Sequence, residues 1–276
     1  MPKQYKIACL GCSWTEGIND PSDGKKNNLA EENTYPFKLQ KFLSTHGRNT
    51  QMIQAGRAGS GVEYCHLVAD YLLNEFNPDI FVIQLTTHDR SILALDPKYQ
   101  DEKRIRWSYD TINNTYHKVW QLSDNLINLS PGLGASASSH NESNQYTDLL
   151  VKMYNEKIKD KMAPEVSFSD YKNYIALWWE QSCNTDFQKY FYYSHIYSLV
   201  DHLQEQEKIV IPFYWLKWKP EFKTKLFQNR QYPSIQGMMG NKVFDSYLID
   251  KGYHFSPEGN AKLVEDFLGP TILETM

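Results

Sequence analysis

Cysteine is scarce in this chain, and its few cysteines do not form a framework. Four cysteines in 276 residues are too few for a fold that depends on disulfides. Cys9 and Cys12 form a Cys-x-x-Cys pair, but no second pair follows at the spacing of a zinc site. A redox pair of this type opens a helix, whereas Cys9 lies inside an apolar run typical of a strand. We interpret the pair as two small residues around a strand end, and we expect no metal and no cofactor.

Long apolar runs and long blocks of like charge are also absent. No run approaches the length of a membrane span, and the first residues lack the apolar core of a signal peptide. The net charge is −4 and no extended basic block occurs, so neither nucleic acid nor an anionic membrane surface is indicated as a partner. These absences predict a cytoplasmic protein. They indicate nothing about its oligomeric state.

Aromatic residues, by contrast, are abundant. The chain has 19 Tyr, 7 Trp and 13 Phe, and many of them fall between Trp107 and Trp218. We interpret residues 97–206, approximately, as a helical insertion within a single domain that spans residues 1–276. The aromatic side chains of this insertion either pack a core or face a ligand, and the sequence leaves both readings open.

Short apolar runs alternate with amphipathic stretches along the rest of the chain. Strands are predicted at about residues 5–10, 50–55, 78–85 and 208–214, where the runs are short and bounded by glycine or proline. Helices are predicted from Thr34, after the glycine turn at 56–61, and from Ser256, with Thr34 and Ser256 as caps. Residues 215–247 are expected to be rich in loops, with a short last strand or an extended segment at 244–249. Strands that alternate with helices predict an α/β sandwich with a mainly parallel sheet.

Polar residues with catalytic potential follow three of these strands. Ser13 lies two residues after Gly11, at a sharp turn beyond the first strand. The glycine turn after the second strand contains Gly59 and lacks both the Gly-x-Gly-x-x-Gly spacing and the lysine of a phosphate-binding loop. His88 follows the third strand. The carboxyl ends of parallel strands meet at one edge of a sheet, where ligands bind, so we expect these residues to lie close together.

The order of these motifs resembles that of the SGNH hydrolases, the GDSL-like esterases. Gly11-Cys12-Ser13 is similar to the block that carries their nucleophile, and Gly59 matches the glycine whose N–H points into the oxyanion hole. Thr86-Thr87-His88-Asp89 occupies the place of the Gly-x-Asn-Asp block. The segment from Tyr253 to Asn260 is similar to the block that carries the base. The resemblance implies a flavodoxin-like three-layer α/β/α fold, with Ser13 as nucleophile and His254 as base.

Two positions depart from the pattern of this family. His88 stands where the family has asparagine, although a neutral imidazole still donates one N–H to an oxyanion. Lys251 stands three residues before His254, where the family has the aspartate that orients the base. Asp250, one residue earlier, would serve if the turn bulges. Otherwise a backbone carbonyl orients His254 and the site is a Ser-His dyad.

The resemblance implies a serine ester hydrolase that cleaves an O-acyl group, O-acetyl in particular, on a carbohydrate or another small ester. Arg90 and Trp14 are candidate substrate-binding residues beside this site. Two alternatives remain. The same fold with two altered blocks would suit a binding or structural module of a larger assembly, and the same residues would suit an O-acyltransferase.

Overall fold

The computed structural model describes the chain in separate ranges. They are residues 3–16, 18–19, 27–28, 31–56, 61–86, 91–94, 103–110, 115–123, 126–130, 134–135, 155, 167, 170, 185–216, 232–249 and 254–276. The strands in chain order are β1 (Tyr5–Gly11), β2 (Ile18–Asn19), β3 (Asn27–Asn28), β4 (Thr50–Gly56), β5 (Ile80–Leu85), β6 (Ser91–Ala94), β7 (Lys103–Asp110), β8 (Thr115–Ser123), β9 (Leu126–Ser130), β10 (Gly134–Ala135) and β11 (Ile209–Tyr214).

The helices alternate with the longer strands. They are α1 (Ser13–Glu16), α2 (Tyr35–Thr45), α3 (Val62–Glu75), α4 (Asp186–Glu205), α5 (Ile235–Met239), α6 (Asn241–Ser246), α7 (Pro257–Leu263) and α8 (Gly269–Thr275), with a 3₁₀ turn at Glu31–Asn33 and a π-helical segment at Val264–Leu268. Proline in the first turn of α2 and of α7 fits its fixed φ and its missing N–H. The predicted starts of both helices are therefore confirmed, although Thr34, unlike Ser256, makes no side-chain capping hydrogen bond.

Four parallel strands form the central sheet, in the order β11-β5-β1-β4. Counted along the chain, these are the fourth, third, first and second long strands of the sheet. This is the flavodoxin-like order, in which the chain leaves the first strand to one side and later returns to its other side. The predicted α/β fold with a mainly parallel sheet is confirmed, and the point where the strand order reverses lies between β1 and β5.

Each face of the sheet carries its own apolar core, because successive side chains of a strand point to opposite faces. Ala8 and Leu10 of β1 pack with α3 and α4 on one face. Ile7 and Cys9 pack with α2, α7 and α8 on the other. All six residues of β5 are buried, as its nearly continuous apolar run predicts for a central parallel strand. Helices therefore cover both faces and give the three layers of the sandwich.

The predicted helical insertion needs a correction. Helix α4 confirms its last part, but β7 and β8 form an antiparallel pair, and β6, β9 and β10 form a second small sheet. The sequence of β8, Thr-Tyr-His-Lys-Val-Trp-Gln-Leu-Ser, is rich in aromatic and β-branched residues, which favour strands. The boundaries at 97 and 206 remain a prediction. The short strand expected near 244–249 is also wrong, since α6 ends at Ser246 and only Leu248 forms a bridge, to Phe255.

Candidate active site

Ser13 begins a short helix directly beyond the central strand. Strand β1 ends at Gly11, and the N–H of Thr15 donates to the carbonyl of Cys12 at 3.0 Å, which closes the first turn of α1. Gly11 has a φ of +155°, a value that side chains disfavour. The predicted sharp turn is confirmed. It lies at the carboxyl edge of the sheet, beside the point where the strand order reverses.

Two glutamines from the neighbouring strands hold the backbone of this turn. Gln84 of β5 accepts a hydrogen bond from the N–H of Cys12 at 2.8 Å and one from the hydroxyl of Thr15 at 3.3 Å. Gln54 of β4 donates to the carbonyl of Thr15 at 2.8 Å. The Thr15 hydroxyl also lies 3.1 Å from the Tyr35 hydroxyl of α2. The residues on both sides of Ser13 are therefore fixed by side chains that approach from β4, β5 and α2.

Sequence reasoning missed these glutamines, although a signal was present. Each is a polar residue near the end of a strand whose neighbours are apolar, in Met52-Ile53-Gln54-Ala55 and in Val82-Ile83-Gln84-Leu85. Gln84 is only 1% exposed, and a buried amide needs hydrogen-bond partners. A polar residue inside a predicted buried strand indicates such partners, but the sequence does not name them.

His254 reaches the same edge from the other end of the chain. Its carbonyl accepts from the N–H of Ile249 at 2.9 Å, and the N–H of Ser256 donates to Tyr247 at 2.7 Å. Ser256 then caps α7 by accepting from the N–H of Gly259, as predicted. The imidazole is half-buried, and its ring centroid lies 5.8 Å from that of Trp14. The histidine segment and the residue that follows Ser13 are thus neighbours in space.

Trp14 belongs to an aromatic cluster whose other rings are buried in the core on the α2 face. Its ring lies 4.1 Å from that of Trp215 and 5.2 Å from that of Phe255, measured between centroids. Phe244 contributes a third ring at 6.2 Å. This packing joins α1, the end of β11, α6 and the segment before α7 into one unit. The proposed contact between Trp14 and substrate remains a prediction.

Four of the predicted site residues lie outside the described residues, namely Asp250, Gly59, His88 and Arg90, and the side chain of Ser13 is not described. The strands that precede two of these positions are described. Gly56 at the end of β4 pairs with Gly11, and Ile83 of β5 pairs with Leu10. The ends of β1, β4 and β5 therefore lie side by side, which is the arrangement that the sequence predicted for the strands that precede Ser13, Gly59 and His88.

The cysteine pair is buried around the end of β1, as interpreted from the sequence. Cys9 is fully buried, and its thiol lies 3.4 Å from the sulfur of Met52. Burial raises the pKa of the Cys9 thiol, so it stays protonated and is a poor nucleophile. Within the described residues, no three His, Cys, Asp or Glu side chains are grouped as metal ligands, and no described helix is long and apolar enough to cross a membrane.

The strand order and the glutamine-supported turn define an α/β protein with a candidate site at the switch point of its sheet. The chain matches no family model and no curated protein. Among solved structures it is similar to TesA, with 11% identity and a TM-score of 0.47 over 98% of this chain and 99% of that one.

Two further structures are similar at the same low level of identity. One is a family 3 carbohydrate esterase of Clostridium thermocellum, with 12% identity and a TM-score of 0.37 over 99% of this chain and 98% of that one. The other is the aryl esterase of M. smegmatis, with 12% identity and a TM-score of 0.37 over 99% and 100%. Both are named as esterases.

Proposed function

We propose that the protein is a serine ester hydrolase with Ser13 as nucleophile and His254 as general base. The observation that carries this proposal is the contact between the rings of Trp14 and His254. It brings the histidine segment to the turn that bears Ser13, at the switch point of a parallel sheet, where ligands bind in this class of fold. A serine needs a base within hydrogen-bond reach in order to act as a nucleophile at neutral pH.

The reaction runs in two stages. The Ser13 hydroxyl attacks the acyl carbonyl while His254 takes its proton, and the backbone amides of Ser13 and Gly59, with the side chain of His88, donate hydrogen bonds to the oxyanion. His254 then returns the proton to the leaving alcohol, which gives an acyl-enzyme. Water, deprotonated by His254, attacks the acyl-enzyme and releases the acid. The fixed backbone of the turn supports this role because a preorganised nucleophile needs little rearrangement in the transition state.

The orientation of the imidazole distinguishes a triad from a dyad. In a triad, Asp250 accepts from the second ring nitrogen of His254 and stabilises the imidazolium that forms. Asp250→Asn then lowers kcat by several orders of magnitude, up to about 10⁴-fold. In a dyad, a backbone carbonyl fills this position and Asp250→Asn leaves kcat nearly unchanged. We propose that the carboxylate of Asp250 orients His254 and that the site is a triad.

We propose an O-acyl ester as the substrate, with O-acetyl groups on carbohydrates or other small molecules as the first to test. The support is the resemblance of the motif order together with Trp14, the one partly exposed ring of its cluster, since aromatic rings stack on the apolar faces of sugars. Arg90 would bind an anionic group of such a substrate. Acetylated sugars and p-nitrophenyl acetate compare a glycan ester with a simple activated ester.

Fluorophosphonate labelling tests the proposal, because such probes react covalently with an activated serine. We expect the wild-type chain to react and both Ser13→Ala and His254→Gln to lose labelling by about 10³-fold or more. Matched controls are Ser44→Ala and His46→Gln, since both residues are exposed near the end of α2. These controls should react like the wild type.

Other outcomes identify the alternatives. A wild-type chain that reacts no faster than Ser13→Ala contradicts the hydrolase and favours a binding module. Labelling at Ser13 combined with acyl transfer to an added sugar in preference to water identifies an O-acyltransferase. Product analysis by mass spectrometry, with and without the sugar acceptor, separates transfer from hydrolysis.

A further inference from the structure

A buried glutamine is energetically unfavourable in the middle of a parallel sheet, and Gln84 of β5 is one; the half-buried Gln54 of β4 lies beside the same turn. An amide that leaves water without hydrogen bonds costs several kcal/mol by transfer measurements, on the order of 2–7. The Gln84 side chain uses both ends of its amide, because its oxygen accepts from Cys12 and Thr15 while its nitrogen donates to the carbonyl of Leu85 at 3.2 Å. An apolar residue would fill the same place at lower cost, so the amide indicates a specific role.

The turn is built to receive these amides. A β-carbon on Gly11 would lie 2.5 Å from the side-chain oxygen of Gln84 and would collide with the hydroxyl of Thr15. The absence of a side chain at position 11 therefore lets Gln84 reach the backbone of Cys12. Gln54 completes the support from the other side of β1, through the carbonyl of Thr15.

We propose that Gln84 and Gln54 are positioning residues for the reaction at Ser13. Gln84 binds the N–H of Cys12 and the hydroxyl of Thr15, and Gln54 binds the carbonyl of Thr15. We assign neither glutamine a contact with substrate. This inference rests on the proposed function. A displacement of a nucleophile by about 1 Å lowers turnover by up to about 10²-fold, so we expect the loss of either glutamine to act on kcat and not on KM.

The experiment replaces each amide by a side chain of similar shape that makes no hydrogen bond. We expect Gln84→Met and Gln54→Met to lower kcat by about 10-fold or more while KM stays within about twofold of the wild type. The matched control is Gln40→Met. Gln40 is also 1% exposed and donates to the carbonyl of Thr50 at 3.1 Å, at the amino end of β4 and therefore away from Ser13. It should lose comparable stability in urea and keep the wild-type kcat.

Thiol alkylation provides a readout that does not depend on activity. Cys12 and Cys65 are each 2% exposed and Cys9 is fully buried; Cys9 lies in the core on the α2 face and Cys65 in the core on the α3 face. If Gln84 holds the turn, Gln84→Met makes Cys12 react faster with iodoacetamide, with Cys9 and Cys65 unchanged as internal references. Gln40→Met should leave the reactivity of Cys9, Cys12 and Cys65 as in the wild type. Peptide mass spectrometry assigns the modified cysteine.

The two readouts separate the possible failures. If Gln84→Met leaves both kcat and Cys12 reactivity at wild-type values, the positioning role is wrong. If Cys12 becomes reactive but kcat is unchanged in an active enzyme, the glutamines stabilise the fold only, and the inference is equally overturned. If the wild type shows no Ser13-dependent reaction, the proposed function is wrong and the positioning role is wrong with it. Faster alkylation of Cys12 in Gln84→Met would in that case show only that Gln84 holds the turn. Slower turnover together with faster Cys12 alkylation supports the inference.

Discussion

Gly11 shows how one residue shapes the candidate site. The turn needs a backbone with φ of +155° and leaves no room for a β-carbon between Thr15 and Gln84. Gly47, after α2, has a φ of +72° but nothing within 4 Å of a β-carbon placed there. A side chain at position 47 would therefore meet only a conformational cost, whereas one at position 11 would also collide with its neighbours.

Gly11→Ala should lower both stability and activity. The added methyl group pushes Thr15 and Gln84 apart, and overpacking of this kind costs about 1–3 kcal/mol in addition to the backbone strain. Urea unfolding measures the first effect and fluorophosphonate labelling the second. The matched variant Gly47→Ala should lose only the backbone term, about 1–2 kcal/mol, with labelling at the wild-type rate. Equal labelling rates for the two variants would contradict this account of the turn.

At the scale of elements, the contact between α3 and α4 contains two imidazoles. His66 of α3 donates through its Nε2–H to the carbonyl of His195 at 2.6 Å, and the two rings lie 5.3 Å apart. Burial lowers the pKa of the His66 imidazole, and the neighbouring His195 and His202 lower it further. The hydrogen bond to the His195 carbonyl and the carboxylate of Glu63 act in the opposite direction but do not outweigh burial. Burial also lowers the pKa of His195. This interface is thus built for neutral histidines.

The pH dependence of stability follows from these directions. Because both pKa values are lower in the folded state than the ordinary value of 6.5, the unfolded chain binds more protons as the pH falls. The contribution of the two neutral histidines to the free energy of unfolding is complete above about pH 6.5 and is lost progressively as the pH falls through their folded pKa values. We expect the urea midpoint to fall between pH 7.5 and pH 5.5, and to fall less in His66→Gln/His195→Gln. An equal fall in both proteins would contradict this prediction, and His46→Gln, outside this interface, serves as control.

The elements of the sandwich were largely predictable, whereas the support of the site was not. Strands β1, β4, β5 and β11 are short apolar runs with clear ends, and Ser256-Pro257 starts α7 by a local rule. By contrast, the hydrogen bond from Cys12 to Gln84 joins residues that only the sheet brings together. The strands within 103–135 escaped prediction because an aromatic-rich sequence suits a helix or a strand, and pairing between segments decides the outcome.

At the scale of the whole molecule, the sheet links the site to both cores. The carboxyl end of β1 carries the turn with Ser13, and β1 lies between β4 and β5, each of which supplies one glutamine. The His254 segment packs against the α2, α7 and α8 face through Phe255. On the opposite face, α3 and α4 cover the same strands. The geometry of the site therefore depends on both layers of helices, although the described ring contacts of His254 and Trp14 lie on one face.

This arrangement predicts that the two faces unfold together. Leu39 of α2 and Leu72 of α3 are fully buried on opposite faces, so Leu39→Ala and Leu72→Ala should each lower the free energy of unfolding by about 2–5 kcal/mol. Their effects should add in the double variant, because the two side chains belong to separate cores. Urea unfolding with far-UV circular dichroism measures these values.

Two buried thiols report on the faces separately during the same titration. Cys9 lies in the core on the α2 face and Cys65 in the core on the α3 face. If the shared sheet couples the layers, pulse alkylation detects both thiols at the same urea concentration in the wild type and in each variant, because a cooperative transition gives coincident midpoints. If Leu39→Ala exposes Cys9 at a urea concentration that leaves Cys65 protected, the layers unfold independently. That result would contradict the coupling of the two layers through the shared sheet.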